Sequence, residues 1–142
     1  IIKGYSIKII EPSNFQLNKF FYKNIGKNHQ WIDRLIWTEK QWIEYVSNIN
    51  VKTYVLKNMN DLAGYFELII HQEEIEIAYL GLLEEYQNKK LGSFLLSSAI
   101  KNSFLKKPKR VWVHTCSLDH KNALTNYLAR GMKIFKKETI TI

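Results

Sequence analysis

The sequence predicts an α/β domain in which helices cover both faces of a mixed, mostly antiparallel sheet, a three-layer α/β/α arrangement. Apolar residues recur at strand spacing in some segments and at helical spacing in others, and the predicted order is β-α-α-β-β-β-α-β-α-β. Three consecutive strands joined by tight turns form an antiparallel meander. In the sequence, helices precede and follow this meander. Each must bury its apolar side against the sheet, and together they need both faces of the sheet.

The first half of the chain supplies one strand, two helices and the meander. A first strand is predicted over residues 5–10, and Pro12 ends it. Ser13 and Thr38 are good N-caps for two helices, because their hydroxyl groups accept hydrogen bonds from the first helical N–H groups. The three strands of the meander are predicted over residues 52–56, 62–70 and 74–82.

The second half alternates helices and strands. A helix is predicted over residues 90–104, with Leu91, Leu95 and Ala99 on one stripe. A strand over 110–116, a helix capped by Asp119 and ending before Gly131, and a final strand from Ile134 follow. With 142 residues and no repeat or linker, residues 1–142 are predicted to form one domain.

Composition restricts the partners and the compartment. The net charge of +8 suits anionic partners, but the chain has only three arginines, the side chain that specific nucleic-acid readers favour. We therefore expect no nucleic-acid partner. A single cysteine, no basic-then-apolar leader and no long apolar stretch predict a cytoplasmic protein without a membrane partner. The four histidines show no metal-ligand spacing, so no metal site is predicted.

The segment from Leu82 to Gly92 leaves a strand, forms a polar loop and enters a helix. The first N–H groups of a helix lack internal partners, and the helix dipole adds partial positive charge there. Such a junction binds phosphates, and Lys89 and Lys90 would strengthen it. The alternative is an ordinary strand–helix loop with two solvated lysines.

A second segment, from Asn122 to Met132, helps to decide between these two interpretations of the loop. The loop Gln87-Asn88-Lys89-Lys90-Leu91-Gly92 resembles the Gln/Arg-x-x-Gly-x-Gly/Ala loop of GNAT acetyltransferases, and Asn122 to Tyr127, then Gly131-Met132, resembles their Asn-x-x-x-x-Tyr-x-x-x-Gly-Phe helix. Both segments occur in the family's order. The chain therefore resembles the GNAT superfamily, which implies the GNAT-type fold and an N-acetyltransferase that uses acetyl-CoA. Its Trp-x-Asp-Arg, Gly-Tyr-Phe-Glu-Leu and His-Thr-Cys-x-Leu-Asp-His strings are similar to those of a bacterial GNAT subgroup.

The resemblance also implies roles for individual residues. Backbone amides of the loop Gln87 to Gly92, including those of Asn88, Lys89, Lys90 and Leu91, would hold the CoA pyrophosphate. The strand end Leu82-Leu83-Glu84 would bind pantetheine through main-chain groups, and Asn122 would contact the same arm. Tyr127 would protonate the leaving thiolate, a role that collapse of the tetrahedral oxyanion requires; the alternative for Tyr127 is core packing.

Two residues depart from the family pattern. Lys90 stands where glycine is usual, and Glu84 stands where proline is frequent. Glycine lets the backbone approach the phosphates closely. Lys90 must either turn its side chain outward, onto a CoA phosphate, or weaken binding. The second case would make the chain a catalytically impaired CoA-binding or sensing module.

The attacking amine must lose a proton, and two carboxylates are candidates for the general base. Glu67 is an acid within an apolar strand, where an unpaired carboxylate would be costly, so its presence requires a reason. Glu76 alternates with isoleucines and is the second candidate, unless it simply lies on a more hydrated face. The sequence does not decide between them.

By the same resemblance, the first two helices and their connection form the acceptor site. This region is rich in aromatic residues, and Asp33 would attract a cationic amine. Tyr22, Trp31 and Trp37 are candidate substrate-binding residues; the alternative for the two tryptophans is that they anchor the core. The predicted acceptor is a primary amine of a small molecule or peptide. The sequence leaves open whether protomers pair as a homodimer.

Overall fold

The computed structural model describes residues 3–27, 31–87, 91–114, 133–136 and 139–141. Within them lie seven strands, three α-helices and one short 3-10 helix. Their bounds are β1 Tyr5–Ile9, α1 Phe15–Gly26, α2 Glu39–Val46, β2 Val51–Asn58, β3 Asp61–His71, β4 Glu74–Leu82, the 3-10 helix Glu84–Tyr86, α3 Leu91–Phe104, β5 Arg110–His114, β6 Lys133–Lys136 and β7 Thr139–Thr141.

The seven strands form one mixed sheet in the order β1-β2-β3-β4-β5-β7-β6. Every neighbouring pair is antiparallel except β4 and β5, which are parallel. A parallel pair needs a crossover between its strands, and α3 provides it. The predicted meander of β2, β3 and β4 is confirmed.

Helices cover both faces of the sheet. Phe21 of α1 stacks on Tyr65 of β3 with ring centroids 4.8 Å apart. A Cβ atom at Gly81 of β4 would lie 2.6 Å from Ile25, so glycine lets α1 approach the sheet closely. Helix α3 packs against β3, β4 and β5, and consecutive β3 residues are buried from Ala63 through Leu68. The predicted three-layer α/β/α fold is confirmed.

Two boundaries differ from the predictions. Helix α1 is capped by Asn14, not Ser13: the backbone of Asn14 is extended, and its side chain accepts a hydrogen bond from the Gln16 N–H at 3.1 Å. Thr38 is the N-cap of α2, as predicted, within a complete capping box. The single strand predicted from Ile134 is instead two strands, β6 and β7, which pair with each other in antiparallel orientation.

Some predictions lie outside the described residues. These are the helix predicted from Asp119 to Gly131, the last two residues of the strand predicted over 110–116, and the motif residues Asn122 and Tyr127. None of the helices in the described part of the chain is long and apolar enough to span a membrane.

Candidate active site

Strands β4 and β5 pair over only part of β4. Glu74–Ile77 pair in parallel with Arg110–Val113, and β4 continues through Leu82. The register with β3 changes at the same place, from Glu67 opposite Tyr79 to Leu68 opposite Ile77, which leaves Ala78 as a bulge residue. Within the described residues, the second half of β4 therefore has no β5 partner along its outer edge.

The main chain of this edge presents hydrogen-bonding groups. The Leu83 N–H donates to the Ala63 carbonyl at 2.8 Å, which directs the main-chain groups of Leu83 toward β3. Along an antiparallel strand, the main-chain groups of successive residues point to opposite edges. Leu82 and Leu80 therefore direct their N–H and C=O groups to the edge that faces away from β3. The Leu82 carbonyl there accepts a hydrogen bond from the Gln87 side-chain amide at 3.4 Å. The edge can therefore bind a ligand through backbone groups.

The edge leads to the N-terminus of α3. After the exposed Glu84 and half-buried Gln87, the helix begins at the buried Leu91 and has no acidic residue in its first turn. A Cβ atom at Gly92 would meet no other atom within 4 Å. The N–H groups of the first turn, the helix dipole and this open space fit a phosphate-bearing group. Asn88, Lys89 and Lys90 lie outside the described residues.

On the α1 face of the sheet, Glu67 is fully buried, and both oxygens of its carboxylate have polar partners. Arg34 Nη1 lies 3.0 Å from Oε1 and 3.2 Å from Oε2. The Tyr45 hydroxyl donates to Oε1 at 2.7 Å, and the Asn18 amide donates to Oε2 at 2.8 Å and also to the Thr53 hydroxyl. The buried acid that the sequence left unexplained is thus one half of an ion pair.

Arg34 is 5% exposed and is surrounded by aromatic rings. Its guanidinium carbon lies 4.1 Å from the Tyr45 ring centroid and 4.3 Å from that of Tyr79, within cation–π range. Burial, the largest single influence, lowers the pKa of Arg34, but the Glu67 carboxylate together with Tyr45, Tyr65 and Tyr79 raises it above its ordinary value. Arg34 therefore remains charged. The other rings within 6 Å are those of Trp37, Trp42 and Tyr22.

Asp33, next in sequence to Arg34, is exposed and is held by two phenols. The Tyr22 hydroxyl donates to Oδ1 at 3.1 Å, and the Tyr79 hydroxyl donates to Oδ2 at 2.5 Å. Burial acts to raise the pKa of Asp33, but the hydrogen bond from Tyr79 and further hydrogen bonds outweigh it, so the pKa is lowered. Burial, ahead of the other influences, raises the pKa of Tyr22 to about 12, so this phenol remains a donor.

Glu76 lies on the same sheet face as Glu67 because the bulge at Ala78 reverses the alternation of β4. Its carboxylate lies 2.8 Å from His71 Nε2, with side-chain exposures of 12% for Glu76 and 47% for His71. The His71 ring stacks on Trp112. Glu76 is therefore mostly buried, not on the hydrated face considered above, and its partner reaches solvent.

The structure brings several of the predicted acceptor residues together. Tyr22 and Trp31 are buried and their rings lie 5.7 Å apart, and Trp31 also packs on Tyr79 at 4.7 Å. Trp37 is half-buried against Arg34, and Asp33 reaches the surface. The two tryptophans thus pack as core residues around the base of the candidate acceptor site. Their roles toward a substrate remain predictions.

Sequence reasoning missed the residues that organise this region, namely Arg34, Asn18, Tyr45, Thr53 and Tyr79. Asn18 carried a signal, because it occupies a position of α1 whose neighbours three, four and seven residues later are the buried Phe21, Tyr22 and Ile25. A polar residue on a buried stripe requires a polar partner. Among the described residues, no group of three or more potential metal ligands occurs.

Residues 13–132 match the family model described as "Acetyltransferase (GNAT) family". Solved structures with the same fold include an aminoglycoside acetyltransferase from an uncultured soil metagenomic sample (13% identity, 95% of this chain and 91% of that one, TM-score 0.73). The PaiA N-acetyltransferase of Thermoplasma acidophilum in complex with coenzyme A has 20% identity over 96% and 97% of the two chains, TM-score 0.63. The spermidine N-acetyltransferase of Vibrio cholerae has 15% identity over 99% and 94%, TM-score 0.72. A search of curated proteins finds no match.

The ion pair between Arg34 and Glu67 yields a stability prediction. Arg34→Met should lower the free energy of unfolding by about 3–5 kcal/mol, because it leaves a buried carboxylate without its counter-charge. Urea denaturation measures the change. The control is Lys40→Met, which removes the exposed pair with Glu44 at 3.9 Å and should cost less than about 0.5 kcal/mol. Equal, small losses in both variants would contradict the importance given to the buried pair.

Proposed function

This chain belongs to the GNAT acetyltransferase family, and from that membership we propose that it transfers the acetyl group of acetyl-CoA to a primary amine of a small molecule or peptide. The observation that carries the proposal is the second half of β4, which pairs with no β5 residue in the described part of the chain and leads toward the N-terminus of α3. An extended ligand with amides at one end and a pyrophosphate at the other matches such a surface.

In this proposal the chain binds the cofactor mainly through its backbone. Leu80 and Leu82 would pair their outward main-chain groups with the amides of pantetheine. The first-turn amides of Leu91 and Gly92, together with the preceding loop from Gln87 to Lys90, would hold the pyrophosphate. Acetyl-CoA supplies a thioester carbonyl for a neutral amine to attack. Tyr127 donates the proton that the leaving sulfur requires.

We assign the general base to Glu76 and not to Glu67. Both oxygens of Glu67 already accept hydrogen bonds, and protonating this carboxylate would leave Arg34 charged and buried without its partner. Within the described part of the chain, the Glu76 carboxylate makes one contact at hydrogen-bonding distance, to His71, which reaches solvent and offers an exit for the proton. Glu76 also lies on the face where Asp33 and Tyr79 meet.

The acceptor class follows from the family and from the structural neighbours. The names of two of these neighbours specify an aminoglycoside and spermidine, both of which carry amino groups. The impaired CoA-binding module considered for Lys90 makes a different prediction, namely cofactor binding without transfer to any amine. Turnover with an amine panel separates the two functions.

The acid assignment predicts the effect of Tyr127→Phe. This variant should lower kcat by about 100-fold or more, the range of general acid–base catalysis, while acetyl-CoA still binds. The measurement is release of free CoA thiol with an accepted amine. An unchanged kcat would show that the leaving sulfur takes its proton from another group.

The base assignment predicts a contrast between two carboxylates. Glu76→Gln should lower kcat/KM at neutral pH by about 100-fold with little change in stability, because an amide cannot accept the proton. Glu67→Gln should instead lower the free energy of unfolding by about 3–5 kcal/mol, since the buried Arg34 loses its counter-charge. Steady-state kinetics and urea denaturation of both variants measure the contrast. The opposite pattern would reverse the assignment.

A further inference from the structure

We infer that the acceptor is a diamine, whose second, non-reacting ammonium group binds Asp33 while its other amine attacks. The inference rests on the proposed function and names the substrate class of the same site. It depends on the charge state of Asp33, its position relative to β4, and the apolar side chains beside it.

Asp33 carries a negative charge that has no salt-bridge partner among the described residues, although the charge of Arg34 acts on it from a distance. Its sequence neighbour Arg34 turns inward and pairs with Glu67. Within the described part of the chain, no lysine, arginine or histidine nitrogen lies within 4.0 Å of the Asp33 carboxylate, whose partners are the hydroxyl groups of Tyr22 and Tyr79. A carboxylate can accept about four hydrogen bonds, so capacity for an ammonium group remains.

A carboxylate held in this way anchors a cation and does not remove its proton. The lowered pKa of Asp33 makes it a weak proton acceptor. An ammonium group in contact with it is stabilised in its charged form, whereas the attacking nitrogen must be neutral. The nitrogen at Asp33 and the nitrogen that attacks are therefore different atoms of the acceptor.

The anchor lies close to the proposed reaction centre. Tyr79 extends from β4 directly beside the bulge residue Ala78 and precedes Leu80, whose main-chain groups face the outer edge of β4. Its hydroxyl reaches Asp33. The Asp33 carboxylate therefore lies about one tyrosine side chain away from the main chain of β4. A short diamine can bridge this interval.

The turn that carries Asp33 also exposes apolar side chains. Ile32, Leu35 and Ile36 are 69%, 55% and 87% exposed. Methylene groups next to the held nitrogen would find apolar contact there. Two cationic ends joined by methylene groups describe an α,ω-diaminoalkane.

The net charge of +8 opposes the approach of a dication. At physiological ionic strength the Debye length is about 8 Å, so most of this repulsion is screened and contact at Asp33 dominates. Asp33 supplies one negative charge, so we expect it to bind one non-reacting ammonium group of the acceptor.

The test compares amines of equal length. Putrescine and cadaverine are assayed against butylamine and pentylamine, with acetyl-CoA in excess, in the unmodified protein, in Asp33→Asn and in Asp61→Asn. Asp61 is exposed at the start of β3, so the last variant makes the same change in charge away from the site.

We expect kcat/KM of the unmodified protein and of Asp61→Asn to favour the diamines by about tenfold, the equivalent of one charge-assisted hydrogen bond. Asp33→Asn should abolish this preference, and a Tm close to that of the unmodified protein shows that the variant is folded. Equal turnover of diamines and monoamines in the unmodified protein, or a preference that persists in Asp33→Asn, would overturn the inference while leaving the proposed function in place. Failure to acetylate any amine would overturn both.

Discussion

The buried ion pair between Arg34 and Glu67 is the interaction on which the candidate active site depends. Glu67 belongs to β3, Arg34 to the connection between α1 and α2, and the hydrogen-bonding partners Asn18 and Tyr45 to those two helices. Four separate segments therefore meet at one carboxylate. Desolvating two charges is costly, and excellent geometry with additional hydrogen bonds is what offsets that cost. Because Arg34 is fixed inward, the turn around it is fixed too, and its neighbour Asp33 is presented outward.

The bulge at Ala78 is the second constraint, and it links the two halves of the site. It reverses the alternation of β4, so Glu76 shares a face with Tyr79, while Ile75 and Ile77 face α3. It also falls where the pairing with β5 ends within the described residues. One irregularity in one strand thus places a carboxylate and a phenol next to the edge that we propose for the cofactor. Bulges at active sites serve this purpose of redirecting side chains.

Local patterns predicted the layers and most of the elements, because amphipathic periodicity and caps such as Thr38 act within a few residues of chain. The same patterns drew attention to Glu67 as a buried acid, but its partner Arg34 lies 33 residues away and no local signal joins the two. The face occupied by Glu76 could not be predicted either, since a bulge leaves no mark in an apolar strand sequence. The N-cap of α1 is Asn14 and not the predicted Ser13. Both side chains can cap a helix, and the backbone conformation decides between them. The motif residues Asn122 and Tyr127 remain predictions from the resemblance.

The most direct test of the account is thermal unfolding with and without acetyl-CoA in the unmodified protein, in Gly92→Leu and in Ser97→Leu. Acetyl-CoA at 100 times its Kd should stabilise the unmodified protein by about 2.7 kcal/mol, a shift of several degrees in Tm. Gly92→Leu fills the open space beside the first turn of α3, so it should abolish this shift without lowering the Tm of the free protein. Ser97→Leu places the same side chain at an exposed position of α3 and should leave the shift intact. No shift in the unmodified protein, or an equal shift in all three, would contradict a cofactor site along β4 and α3.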